Sequence, residues 1–128
     1  MKVLVTSKSF GKLSRKPIQR LQDAGFEVYG NEKGRLLNEE EMVEAIQGMD
    51  AVILGTEVFN RNVIDHADKL KIVSRYGVGL DKIDVEYLKE KGIALQIARN
   101  ANTNSVADHT LGLMLSLCHN ITRSEANI

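Results

Sequence analysis

Five short apolar runs alternate with helix-like segments along the first 97 residues, and few folds accommodate that rhythm. MKVLVTS is apolar and β-branched and reads as the first strand. RKPIQRLQDAG follows as a helix, with Pro17 in its first turn and Gly25 just past its end. In FEVYG, Phe26 and Val28 alternate with polar residues, the pattern of a strand buried on one face and lying near a sheet edge. NEEEMVEAIQGM opens on Asn38, with Glu41 three residues on, and carries Met42, Val43, Ile46 and Met49 at helical spacing. DAVILG has no polar interruption after Asp50, as a central parallel strand covered on both faces requires. The helix NRNVIDHADKL, the strand KIVSRY, a glycine loop, the helix DVEYLKEKG and the strand IALQI complete the series. Short connections between such elements demand right-handed crossovers, so the predicted fold is α/β, a doubly wound parallel sheet of five strands.

Beyond residue 100 the pattern changes. Ser105 with Asp108 forms a capping signal after ARNANTN, and a helix is expected from there. Val106, Thr110, Leu113, Met114, Leu117 and Ile121 fall on one face, with Leu111, Leu115 and Cys118 on a neighbouring one. A surface helix needs an apolar stripe only about 100° wide. This helix is broader, so it is expected to lie between two bodies. The expected division is 1–100 for the sheet domain and 101–128 for a linking helix. An uncovered helix of this kind is expected to give a homodimer, by exchange of residues 105–125 between chains, or to fold back on its own sheet.

Charge and composition narrow the function. Lys plus Arg and Asp plus Glu are 17 each, and no basic run is present, so neither nucleic acid nor anionic lipid is an expected partner. The apolar stretch LGLMLSLC is far short of the ~20 residues a membrane span needs. A single cysteine, Cys118, forms no internal disulfide and points to a reducing, cytoplasmic setting; on its apolar face it reads as a small core residue. No Cys/His/Asp cluster has metal-ligand spacing. His66 reads as a solvated histidine, and Asp108 and His109, being sequence neighbours on a helix, do not face each other. His119 has no acid three or four residues away.

Chemistry concentrates in SRYGVGLDKID, residues 74–84. Ligands of open α/β sheets collect at the carboxyl ends of the strands. Gly77 and Gly79 stand at such an end, where bare backbone amides can approach a small carboxylate or phosphate. Asp84 can cap the next helix, Asp81 can order the turn, and Arg75 can meet an anion. On spacing alone, a tight turn holding no ligand is the simpler reading. The loop is neither a dinucleotide fingerprint, since Gly79 is followed by Leu80, Asp81 and Lys82, nor a Walker phosphate loop. A receiver-like or flavin-binding relative of the same topology finds no support in VTSKSFGK, which lacks an acidic cluster and a hydroxyl-rich phosphate loop.

Three blocks together carry a resemblance. They are G-x-G-[VIL]-D-x-[IV]-D at 77–84, E-x-x-x-x-x-G-I at 86–93, and N-x-x-[ST]-V-A-[ED]-x-[TL] at 102–110. In this order and spacing the chain resembles the D-isomer-specific 2-hydroxyacid dehydrogenases, especially their D-3-phosphoglycerate dehydrogenase-like members. The resemblance implies a flavodoxin-like substrate domain with strand order 2-1-3-4-5 and a long helix crossing to a separate nucleotide-binding domain. It implies that backbone groups at Gly77, Val78 and Gly79 hold the carboxylate of a small 2-hydroxy or 2-oxo acid, with Arg75 nearby. It also implies that Val78 approaches the nicotinamide of NAD, and that Asn100, Asn102 and Asn104 lie at the interdomain cleft. The family's dinucleotide loop, orienting arginine and Glu–His acid/base pair would follow the last residue, so this stretch is expected to be a substrate-binding portion without activity alone. The alternative is a stand-alone binding or interaction module that dimerises through its last helix.

Overall fold

A computed structural model describes residues 1–125. The elements run β1 (Lys2–Val5), α1 (Lys16–Asp23), β2 (Glu27–Gly30), α2 (Glu39–Ile46), β3 (Ala51–Leu54), α3 (Arg61–Asp65), β4 (Ile72–Arg75), α4 (Val85–Glu90), β5 (Ala94–Ile97), α5 (Thr103–Cys118) and α6 (Ile121–Glu125). The five strands form one sheet in the order β2-β1-β3-β4-β5, every pair parallel. The fold is therefore the expected flavodoxin-like one, with the alternating FEVYG segment at an edge and AVIL at the centre.

Side-chain alternation along the strands splits the core between two faces. Leu4, Val52, Leu54 and Val73 join Met42 and Ile46 of α2, Val63 and Ile64 of α3 and Leu88 of α4 in one cluster. Val3 and Val5 alternate with Leu4 and point to the opposite face. That face is thinner: Ile72 is 38% exposed there and α1 buries none of its residues completely.

Local chemistry sets the helix starts. Asn38 accepts a hydrogen bond from the Glu41 amide while Glu41 accepts one from the Asn38 amide, the reciprocal box read from the sequence. Asn60 caps α3 through the Val63 amide, and Asp84 caps α4 through the Tyr87 amide. The capping signal placed at Ser105 and Asp108 is not used. The helix starts two residues earlier, at Thr103 after Asn102, with no side-chain cap, and its first i→i−4 bond runs from the Val106 amide to the Asn102 carbonyl.

The last helix also departs from expectation in length and surroundings. It stops at Cys118, Asn120 takes a left-handed φ of 50°, and Ile121 opens the separate α6, so Ile121 is not on one continuous face with Val106. All of α5 except Ser116 is exposed. It does not fold back onto its own sheet, and Cys118, read as a core residue, is exposed. The last three positions of segment 101–128 lie outside the described residues. No helix among the described residues is long and apolar enough to cross a membrane.

Candidate functional site

Strand register brings the site together. Leu54 pairs with Arg75 and Arg75 with Ile97, so the carboxyl ends of β3, β4 and β5 stand in line, with that of β1 beside β3. The residues that follow these ends are Thr6, Gly55, Tyr76–Gly79 and Ala98. They share one rim of the sheet, where ligands of such folds collect.

The loop is anchored at several points. The Tyr76 amide donates to Leu54 O at 2.9 Å, and Gly77 O accepts from the Ala98 amide at 3.1 Å. On the far side, Phe59 and Ile83 form an isolated parallel bridge, with the Phe59 amide donating to Lys82 O at 2.8 Å. Between these anchors the amides of residues 78–82 donate to no acceptor among the described residues. Successive unpartnered amides of this kind form a concavity suited to an anion. Val78 is 49% exposed beside them.

The two glycines serve different ends. Gly77 has φ +148°, a region side chains avoid, and its amide is already spent on Arg75 O at 2.9 Å. It is a structural glycine, and of the three amides predicted to meet a ligand only those of Val78 and Gly79 stand free. Gly79 lies outside the left-handed region, and an added Cβ would meet only Asp81 Oδ2, at an ordinary 3.4 Å. Nothing inside the fold demands glycine there.

Arg75 reaches the loop from behind. Its Nε donates to Gly79 O at 2.9 Å, and its Nη1 donates to Gly55 O and, at 3.2 Å, to Tyr76 O. Nη2 has no partner among the described residues. The guanidinium thus braces main-chain carbonyls and lends positive potential through the loop's back. A trans peptide points its C=O and N–H in opposite directions, so anchoring Gly79 O on Arg75 turns the Leu80 amide away from it. Leu80 was not among the residues singled out in the sequence.

Two further residues were missed. Glu57 is 3% and Thr6 0% exposed, and the Thr6 hydroxyl donates to Glu57 Oε2 at 2.7 Å. Gly55, Glu57, Arg75, Gly79 and Lys82 line one cleft of about 220 Å³. The only sequence signal for Glu57 was an acid set between the end of an apolar strand and a phenylalanine.

Charge around the site is locally compensated. The Asp84 carboxyl lies below its usual range because it accepts from the Tyr87 amide and then from Arg61, whose guanidinium is raised in return. Asn100, with φ 59°, and Asn102 and Asn104 are exposed around the start of α5, and their side chains make no hydrogen bond among the described residues. His66 Nδ1 lies 2.8 Å from Asn62 O on the surface, and His109 is exposed on α5. Among the described residues no group of three or more His, Cys, Asp or Glu could hold a metal ion.

Known proteins share both sequence and fold with this chain. It is 41% identical over 130 residues to the D-3-phosphoglycerate dehydrogenase of Methanocaldococcus jannaschii, matching 100% of this chain and 23% of that protein. The NAD+-bound 3-phosphoglycerate dehydrogenase of Entamoeba histolytica superposes with a TM-score of 0.80 at 31% identity, covering 91% of this chain and 38% of that one. The TT0316 protein of Thermus thermophilus gives 0.87 at 29% identity over 98% of this chain and 39% of that one. The chain therefore spans between about a quarter and two fifths of the length of these relatives. Residues 3–126 match the catalytic domain of the D-isomer specific 2-hydroxyacid dehydrogenases, and the chain belongs to that family.

Proposed function

We propose that this chain is the substrate-binding portion of an NAD-dependent D-2-hydroxyacid dehydrogenase, gripping the carboxylate of a small 2-hydroxy or 2-oxo acid on the Val78 and Gly79 amides. The observation that carries the reading is the run of unpartnered amides at 78–82, beside a glycine the fold itself does not require. D-3-phosphoglycerate is the first candidate substrate, on the strength of the relatives that bear that name.

Within this reading the residues bind and orient. Two amides fix the carboxylate, the Ala98 amide holds the Gly77–Val78 peptide through Gly77 O, Arg75 anchors the loop at Gly79 O, and the exposed Val78 side chain offers an apolar contact to a nicotinamide. For the rest of NAD the described residues do not fit: the sequence has no G-x-G-x-x-G loop to hold a pyrophosphate. The chain alone is therefore expected to reduce no NAD. Asn100, Asn102 and Asn104 would border the cleft to a nucleotide-binding domain. The proposed setting is the cytoplasm.

A titration tests the reading. Oxalate and D-3-phosphoglycerate, added to the 15N-labelled chain, should shift the Val78 and Gly79 amide resonances before any others. Resonances at 78 and 79 that stay fixed at millimolar ligand, or shifts confined to another surface, would refute it.

The exposed α5 favours a second reading, a binding module that dimerises through this helix. Leu111, Leu113, Met114 and Leu115 are each more than half exposed, an apolar surface that a second copy could cover. Sedimentation decides it: a monomer at high micromolar concentration would exclude this reading.

A further inference from the structure

We infer that Glu57 is a positioning residue, which holds the anion-binding loop in place through Thr6, the peptides on either side of Gly55 and Arg75. The inference rests on the carboxylate-binding reading above and adds residues to it that neither motif nor family resemblance singled out.

The connection is continuous. Glu57 Oε2 accepts from the Thr6 hydroxyl at 2.7 Å, and Thr6 Oγ1 accepts from the Gly55 amide at 2.8 Å. Gly55 O accepts from Arg75 Nη1, and Arg75 Nε donates to Gly79 O at 2.9 Å. The Leu54–Gly55 peptide is thus gripped at its N–H from the β1 side by Thr6 and at its C=O from the β4 side, where Leu54 O accepts from the Tyr76 amide at 2.9 Å and from Arg75 Nη1 at 3.3 Å. The direction of the relay depends on Glu57. The Thr6 hydroxyl has one proton to give, and with Glu57 Oε2 accepting it the lone pairs of Thr6 Oγ1 stay free for the Gly55 amide.

Burial shows that this arrangement is costly. Glu57 is 3% exposed, it forms no ion pair among the described residues, and its Oε1 is buried with no hydrogen-bond partner. A carboxyl group with a buried unpartnered oxygen destabilises relative to an apolar side chain of similar size. Position 55 is committed to it as well: a Cβ there would lie 2.7 Å from Glu57 Oε2 and 3.3 Å from Ser7 Cα. Packing explains the glycine but not the buried acid. Holding the peptides on either side of Gly55 accounts for the acid, since Arg75 braces the loop from the carbonyls of Leu54 and Gly55. Gly55, Glu57, Arg75 and Gly79 all line the same cleft.

The test uses the 15N-labelled chain with two readouts, water exchange of the Arg75 Nε–H and oxalate affinity at the Val78 and Gly79 amides. Glu57→Gln keeps an acceptor for Thr6 and supplies an amide where Oε1 now stands. It should hold Arg75 exchange and oxalate affinity within about twofold of wild type. Glu57→Ala should speed Arg75 exchange at least about fivefold and weaken oxalate about five- to tenfold, the scale of one hydrogen bond. The double variant Thr6→Val/Glu57→Leu removes both partners together, which avoids stranding the buried Thr6 hydroxyl should Glu57→Ala fail to fold. It should show the same two losses. Arg75 exchange at the wild-type rate in a folded double variant would overturn the inference, whether or not oxalate binds. Failure of the wild type to bind oxalate would instead overturn the carboxylate reading, and the Arg75 signal alone would then decide the positioning role.

Discussion

Replacing each loop glycine by alanine should have opposite consequences. Gly77 sits at φ +148°, with the Arg75 guanidinium carbon 3.3 Å from where a Cβ would stand. A side chain held in so sparse a region costs ~1–3 kcal/mol. Loss of glycine's freedom in the unfolded chain returns ~0.4–1 kcal/mol. Gly77→Ala should therefore destabilise by about 1–2 kcal/mol, lowering Tm by about 4–9 °C for a chain of this size. At Gly79 the backbone is not left-handed and the nearest contact is an ordinary 3.4 Å. Gly79→Ala should be neutral or stabilise by up to about 1 kcal/mol. Its methyl would nonetheless stand over the free amides. Losing even one charge-assisted hydrogen bond to a carboxylate, ~1.5 kcal/mol, weakens binding about tenfold. Thermal melts and oxalate titrations of both variants measure the two effects separately. A Gly79→Ala variant that melts as low as Gly77→Ala, or binds oxalate like wild type, would refute the division of roles.

Further expectations follow from Arg75, the surface carboxylates and α5. Arg75→Ala should cost about 2–3 kcal/mol in urea denaturation, from lost charge-assisted bonds to the Gly55 and Gly79 carbonyls in a half-buried site. Arg75→Lys should recover less than half, because a point ammonium cannot span both acceptors. The Glu41 carboxyl is lowered from 4.5 to about 2, first by Arg35 and then by the Asn38 amide, and Asp84, Asp65 and Asp50 are lowered too. Depressed carboxylates stabilise above their unfolded range and lose that contribution as pH falls through the folded value, so the urea midpoint should drop between about pH 4.5 and pH 2. Arg35→Met should flatten part of that slope. Leu113→Lys with Met114→Lys should leave the melting temperature of the sheet domain unchanged, since both side chains are more than half exposed. The same pair should abolish any dimer seen by sedimentation.

The strand order was implied by the family resemblance, whereas the edge strand and the reciprocal cap at Asn38 and Glu41 could be read because each depends on neighbours within one element. The loop's place at a strand's carboxyl end was legible for the same reason. Arg75 was legible as a residue near an anion, yet not as one whose donors are turned onto carbonyls of β3 and of the loop itself. The start of α5 was misplaced because Ser105 and Asp108 imitate a cap, whereas the first helical bond already runs from the Val106 amide to Asn102. The end of α5 was missed because an apolar period does not register one asparagine in a left-handed conformation.

Periodicity, caps and the paired glycines were sufficient to determine, from the sequence alone, the element order, the parallel sheet and the glycine loop at a strand's carboxyl end. These are local quantities, set by side-chain spacing and by which backbone angles a residue tolerates. Only the tertiary structure decided which amides stay free and what braces them. Thr6 and Glu57 stand 51 positions apart, and Gly55 and Arg75 stand 20 apart. They meet because β1, β3 and β4 lie side by side in register, and a hydrogen bond between chain-distant groups exists only once that sheet has formed.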